Sequence, residues 1–304
     1  MLVTNKKILL KAQKGHYAVP AFNINNIEFL QAIMKAAILE KSPAIIQTSE
    51  GAIKYAGMDN LIDIVHNAAK NAKIDVSLHL DHGRDTKLLK KAINSGYTSV
   101  MIDASQHPFH KNIEITKKIT QIAHKKGVSV EAELGTIGGA EDNVSSKSIV
   151  YTDPKAAKEF VARTGADCLA VAIGTSHGVY KFAGRSKLNL KLLKQIRKNV
   201  KVPLVLHGAS SIPKDIVETA NKYGATLKNT MGVDPKQIKK AVKLGICKVN
   251  IDSDLRLAFD AAVRKQLKNH PEEFDPRKIL MPATELITDL ARKKMKMLGC
   301  SGKG

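Results

Sequence analysis

Eight times along this chain, a short apolar run rich in β-branched or small residues is followed by a longer stretch of helical character. The runs are Tyr17–Phe22, Ala44–Thr48, Val76–Leu80, Ser99–Ile102, Val128–Glu133, Cys168–Ile173, Pro203–Leu206 and Ile246–Ile251, and they read as strands. The stretches between them, about 27–40, 59–72, 84–95, 111–126, 154–163, 189–199, 213–223 and 253–268, read as helices. Eight β units alternating with eight α units predict an α/β chain closed into a (β/α)8 TIM barrel rather than an open doubly wound sheet. No Gly-x-Gly-x-x-Gly follows the first strand, which argues further against a dinucleotide-binding sheet.

The remaining segments fit one domain over residues 1–304. Two connections are long: a Gly-rich, acidic loop at 135–153 and a second loop at 174–188, both expected to act as lids or binding loops. Residues 224–245 add a helix, and the tail from about 269 to 304 carries an amphipathic one, Pro282–Met297. With 43% hydrophobic residues the chain can bury a substantial core, yet no apolar run approaches the ~18 residues of a membrane span. Residues Met1–Gly15 hold too short an apolar run for a secretory leader. Cys168 and Cys247 read as buried strand residues and Cys300 as a tail thiol, in a reducing cytoplasm. The net charge of +21 comes from lysines scattered in pairs without interleaved aromatics, so nucleic-acid binding is not expected as the primary role. A positive field would draw in an anionic substrate.

In such a barrel, functional groups sit at the C-terminal ends of the strands. Here those ends carry Asn23, Ser49, Asp81-His82, Asp103, Glu133, His177, His207 and Asn250–Ser253. His82, His177 and His207 offer neutral nitrogens and Glu133 a carboxylate, the donor set of a catalytic zinc site with an open position. Glu131 shares a strand face with Glu133 but lies further from the tip, which makes it a supporting residue. His79 shares a face with Asp81 and reads as a hydrogen-bonded barrel residue. Gly178, Gly208 and Ser210 adjoin two of the histidines, where backbone N–H groups can approach an oxyanion, and Lys181 adds charge. Asp81, next to a metal ligand, is a candidate general acid/base. Glu141, on a Gly-hinged loop, is either a solvated acid or one that swings in over substrate.

These motifs are joined by Ala21-Phe22-Asn23, Gln47–Ala52, Met101–Ser105, Lys248–Arg256, Phe274–Lys278 and the ending Leu298–Lys303. Together they make the chain closely resemble class II, zinc-dependent fructose-1,6-bisphosphate aldolase over nearly its whole length. The resemblance implies that His82, His177 and His207 bind Zn2+, with Glu133 near or on the metal. It implies that Asp81 acts on the C4 hydroxyl of a phosphorylated ketose and that Glu141 moves the proton at C3. Gly178, Lys181, Gly208, Ser210 and Ser253 match phosphate-binding positions, and Asn250 and Asp252 match groups near the substrate hydroxyls. Asn23 and Ser49 match substrate-side positions, while Asp103, Glu131 and Arg256 take supporting ones. A monovalent cation (Na+ or K+) near the phosphate loops and a homodimer or homotetramer are also implied. Ser253 stands where threonine is common. Ala209 stands where glycine is common, which is tolerable at negative φ.

Three other readings stay open at this point. A tagatose-1,6-bisphosphate aldolase shares fold, metal and mechanism. A TIM-barrel metallohydrolase would bring a paired-histidine motif at the first strand, which here ends in Phe22-Asn23. A non-enzymatic basic binding protein rests on the charge alone.

Overall fold

The computed structural model describes residues 1–141, 144–146, 149–177, 187–228, 230 and 232–304, with the backbone alone for 138–141, 144–146 and 176–177. In chain order its elements are α1 (Asn5–Gly15), β1 (Val19–Asn23), α2 (Ile27–Leu39), β2 (Ala44–Thr48), α3 (Glu50–Ala56), α4 (Met58–Lys70), β3 (Val76–Gly83), α5 (Thr86–Ser95), β4 (Ser99–Ile102), α6 (Phe109–His124), β5 (Ser129–Leu134), β6 (Gly138–Glu141), β7 (Val144–Ser146), α7 (Pro154–Thr164), β8 (Cys168–Val171), β9 (Ser176–His177), α8 (Leu190–Asn199), β10 (Leu204–Leu206), α9 (Lys214–Lys222), α10 (Pro235–Lys243), β11 (Ile246–Ile251), α11 (Ser253–Asn269) and α12 (Pro276–Leu298). Eight strands close into a parallel barrel in the order β1-β11-β10-β8-β5-β4-β3-β2. This is the TIM barrel expected from the alternation. Among the described residues, no helix is long and apolar enough to cross a membrane.

Three local features depart from the sequence reading and a fourth extends it. The first fifteen residues contain α1, capped by Thr4, with Ile8, Leu9 and Ala12 buried. Lys7 and Lys11 of this helix pair with Asp75, and Asn5 Oδ1 accepts from Ser77 Oγ at 2.6 Å, at the N-terminal end of the barrel. The two long loops are partly ordered by backbone pairing: β6 pairs with β7 antiparallel and with β9 in parallel. Helix α12 begins at Pro276 instead of Pro282, because Asp275 caps it and a proline at the first position needs no donor. Cys300, a free thiol in the tail, is fully buried and accepts from Ser42 Oγ at 3.1 Å, so that end of the chain packs into the core.

Two glycines mark where the long loops leave the barrel. Gly135 has φ +87° and a Cβ there would press on the Val150 carbonyl; Gly174 has φ +109° and would meet the Lys187 carbonyl. Both positions demand left-handed backbone and close chain approach, which only glycine allows cheaply.

Candidate active site and metal centre

The C-terminal ends of the strands form the site, and β3 contributes most to it. Strict alternation along β3 would send Asp81 inward and His82 outward. The structure breaks that alternation. Leu80 pairs with Val100, but Gly83 pairs with Ile102, so β3 holds one extra residue against β4. His82 sits at φ +47°, a left-handed conformation rare for a residue with a Cβ. A bulge of this kind re-aims side chains, and here it brings both Asp81 and His82 into the buried mouth.

Asp81 is held from three sides. Asn23 Nδ2 and Gln47 Nε2 donate to its Oδ2 at 3.0 and 3.2 Å, and Asn250 Nδ2 donates to Oδ1 at 3.0 Å. Gln47 also donates to Asn23 Oδ1 at 2.6 Å, which fixes the orientation of that amide. Burial alone would push the Asp81 carboxyl up, but the neighbouring His82 and Lys248 charges outweigh it and hold the group below its ordinary value. The site thus contains a buried, oriented carboxylate whose charged form its neighbours favour.

Each described histidine of the candidate metal set is steered by a carboxylate. Asp103 Oδ2 lies 3.3 Å from His82 Nδ1, which leaves Nε2 as the nitrogen His82 can offer a cation. Asp103 is fixed in turn by Arg84 Nε and Nη2 at 3.1 and 3.0 Å and by Ser105 Oγ at 2.7 Å. Glu131 Oε1 lies 2.7 Å from His207 Nε2, which leaves Nδ1 as that residue's offered atom. Glu133 Oε2 stands 3.5 Å from this Nδ1. The rings of His82 and His207 meet edge to face with centroids 4.6 Å apart.

These donors fit a divalent cation. Asp81, His82 and His207 bring one ligand atom each within 4.8 Å of one another, and so do His82, Asp103 and Glu133. Electrostatics point the same way. Burial pushes the Glu133 carboxyl up to about 8, with the Asp103 charge adding to it. Burial disfavours the charged imidazole of His82, yet Asp81 and Asp103 overcome this and raise it to about 10. Burial lowers His207 to about 4, so its ring stays neutral, as a metal ligand must be. Without an ion the cluster therefore favours protons on His82 and on Glu133, making the first positive and the second neutral, and a dication held there would compete with those protons.

Other residues singled out from sequence fall around the same mouth. Asn23, Asp81, His82, Gly208, Ser210, Asn250 and Asp252 line one narrow cavity. Gly208 has φ +58° there, whereas Ala209 has no positive φ, which explains why alanine is accommodated. Ser49 caps α3, its Oγ accepting from Ala52 N at 3.1 Å. Asp252 precedes α11 and accepts from Arg256 Nε at 2.7 Å, and Ser253 is buried beside it. The backbone of His177 pairs beside Gly139 in the small sheet; its side chain and that of Glu141, with Gly178 and Lys181, lie outside the described residues. His79 is fully buried, with Nδ1 2.9 Å from Ser99 Oγ.

The sequence assigns no site role to Gln47, Arg84, Lys248 or Lys294, although Gln47 and Lys248 stand in two of the motifs named above. Gln47 carried a signal: it directly follows Ile45-Ile46 near a strand end, where an amide is out of place in an apolar core.

The comparisons with known proteins agree with this geometry. A family model described as fructose-bisphosphate aldolase class II matches residues 3–303. A fructose-bisphosphate aldolase of Thermus caldophilus is 48% identical, covering 100% of both chains. One of Giardia intestinalis is 47% identical over 99% of this chain and 94% of its own. Among solved structures, the YdjI aldolase of Escherichia coli K12 matches with a TM-score of 0.82 at 34% identity, over 100% of this chain and 99% of that one. With a family model spanning nearly every residue and relatives this similar end to end, the chain belongs to the class II fructose-bisphosphate aldolase family.

Proposed function

We propose that this chain catalyses the reversible cleavage of D-fructose 1,6-bisphosphate to dihydroxyacetone phosphate and D-glyceraldehyde 3-phosphate, with zinc as its cation. The family is metal-dependent, and the buried donor groups suit such an ion. The observation that carries the reading is Asp81, a buried carboxylate held by three amides beside a histidine that can ligate metal. When bound, zinc supplies Lewis acidity at the C2 carbonyl, the electron sink that cleavage of C3–C4 requires.

The residues do the rest. Asp81 accepts the C4 hydroxyl proton as the bond breaks. Its amide donors hold it in one orientation, so little reorganisation is needed when the proton arrives. Glu141 delivers a proton to C3 of the three-carbon fragment. Gly208, Ser210 and Ser253, with Gly178 and Lys181, hold phosphate, and a monovalent cation sits near these loops. Asn250 and Asp252 contact substrate hydroxyls. No lysine Schiff base takes part. Barrel and helical tail act as one unit, in a cytoplasmic homodimer or homotetramer.

Steady-state rates on fructose 1,6-bisphosphate and its tagatose epimer test the assignment. A higher kcat/KM on the fructose compound is expected, with activity abolished by chelation and unaffected by borohydride plus dihydroxyacetone phosphate. Preference for the tagatose compound would reassign the substrate, and turnover surviving complete removal of zinc would overturn the mechanism.

A further inference from the structure

Beneath the metal centre lies a second buried polar layer that the reaction itself does not use. Side chains two apart on a strand share a face, so Glu131 lies one layer below Glu133 and Lys248 one layer below Asn250. Lys248 is a fully buried lysine inside the barrel, and its Nζ stands 2.9 Å from Glu131 Oε2. The other oxygen of the same carboxylate, Oε1, is the one that meets His207 Nε2 at 2.7 Å. Two weaker partners compete for Oε2: His79 Nε2 and Cys168 Sγ, each at 3.7 Å. Glu131, His207 and Lys248 all have 0% exposure, so no water surface screens this chain of charges.

We propose that Lys248 is a positioning residue for the metal centre, acting through Glu131 to hold His207 in the orientation and tautomer that a cation needs. The inference rests on the reading above that His207 ligates the metal. An ammonium 2.9 Å from Oε2 holds that oxygen by ion pairing on the side where His79 and Cys168 also lie. The second oxygen of Glu131 is therefore fixed as the acceptor for His207 Nε2–H, and Nδ1 is turned to the cation. Partners of metal-bound histidines act in this way generally: they set ring orientation and ligand basicity. A buried carboxylate also needs a counter-charge, and the Lys248 ammonium supplies one at 2.9 Å. The lysine thus has two separable effects, one on folding and one on metal affinity.

The test measures zinc affinity by competition with a chromophoric chelator, together with the visible spectrum of the cobalt(II)-substituted protein. Lys248→Met should weaken zinc binding about 10- to 100-fold and alter the cobalt spectrum. Lys248→Arg, which keeps the charge, should recover most of that loss. A folded Lys248→Met protein with parental zinc affinity and cobalt spectrum would overturn the proposal. Should Lys248→Met not fold, Glu131→Gln is compared with Lys248→Met/Glu131→Gln, in which both buried charges are gone. If Lys248 acts through Glu131, the double variant binds zinc within about twofold of Glu131→Gln. A further tenfold loss would refute action through Glu131. His207→Ala separates the two levels: parental zinc affinity in that variant would sink both the ligand assignment and the proposal, whereas failure of the Lys248 variants alone would sink only the proposal.

Discussion

The two halves of the barrel mouth are built by different means. Around Asp81 and His82, where a cation is proposed to sit, side chains hold one another: Asp81 by Asn23, Gln47 and Asn250, His82 by Asp103, and Asp103 by Arg84 and Ser105. On the side of β10 and β11, the loops are shaped by backbone and are braced from outside the barrel. Lys294 of α12, side chain 6% exposed, donates to the Ser211 carbonyl at 3.1 Å and to Ser211 Oγ at 2.7 Å, and also pairs with Asp254. One lysine in the last helix thus ties together the turns after both strands. A dication needs several donors converging to within tenths of an ångström, which interlocked side chains supply. A phosphate is larger and accepts backbone N–H groups, so the turn must keep its shape, and a brace outside the ligand's reach is sufficient.

Removing the cation tests the first half most severely. Exhaustive chelation should reduce aldolase activity to background, and added zinc should restore it, followed by a coupled assay alongside metal analysis. Asp81→Asn comes next. It keeps a side chain of similar shape for the surrounding amides but removes the base, so kcat should fall about 10²- to 10⁴-fold with zinc still bound. Loss of zinc in this variant would mean that Asp81 belongs to the cation's donors and not to the proton path.

The braced half should fail differently. Lys294→Met removes one partner of a buried ion pair, which costs about 3–5 kcal/mol of stability by denaturant titration. In the protein that folds, the loosened turns should raise KM about tenfold, the equivalent of one charged hydrogen bond, with kcat little changed. An equal fall in kcat at constant KM would show that α12 supports the chemical step instead. Inorganic phosphate as a competitive inhibitor gives the same comparison without chemistry: its inhibition constant should rise in Lys294→Met and stay near the parental value in Asp81→Asn.

The same contrast explains how far the sequence could be read. Alternation of apolar runs and helical stretches sufficed for the barrel, because eight βα units have few other ways to bury eight apolar strands. Asp81, His82, Glu133 and His207 stand at strand ends, where their residue types alone point to metal and proton chemistry. Their aim was not legible. Simple periodicity turns His82 away from Asp81, and only the bulge at Leu80–Gly83, with its left-handed histidine, turns both inward. Lys248 was hidden because a lysine inside a strand reads as a surface residue until its partner on β5 is known. Lys294 was hidden for a related reason: it sits among Arg292, Lys293 and Lys296, where one buried cation cannot be told from three at the surface. Contacts between residues far apart in sequence leave no local mark.

The smallest expected effect is the sharpest check on how the cation side is held. Ser105 Oγ donates to Asp103 Oδ1 at 2.7 Å, a short bond to a buried carboxylate. Judged alone, its loss would be costly. Asp103 keeps two Arg84 contacts and His82 on its other oxygen, however, and those are the contacts that set the His82 ring. Oδ1 also keeps the Ser105 backbone N–H at 3.3 Å, so truncating the side chain leaves that oxygen an acceptor still in use. Ser105 also reaches Glu133 and favours its charged form, so Ser105→Ala should lower both kcat/KM and zinc affinity by less than about threefold, since a replaceable hydrogen bond is worth under about 1 kcal/mol net. A tenfold loss of zinc affinity in Ser105→Ala would mean that the interlocked half has no redundancy, and that it depends on single contacts as the half proposed to hold phosphate is expected to depend on Lys294.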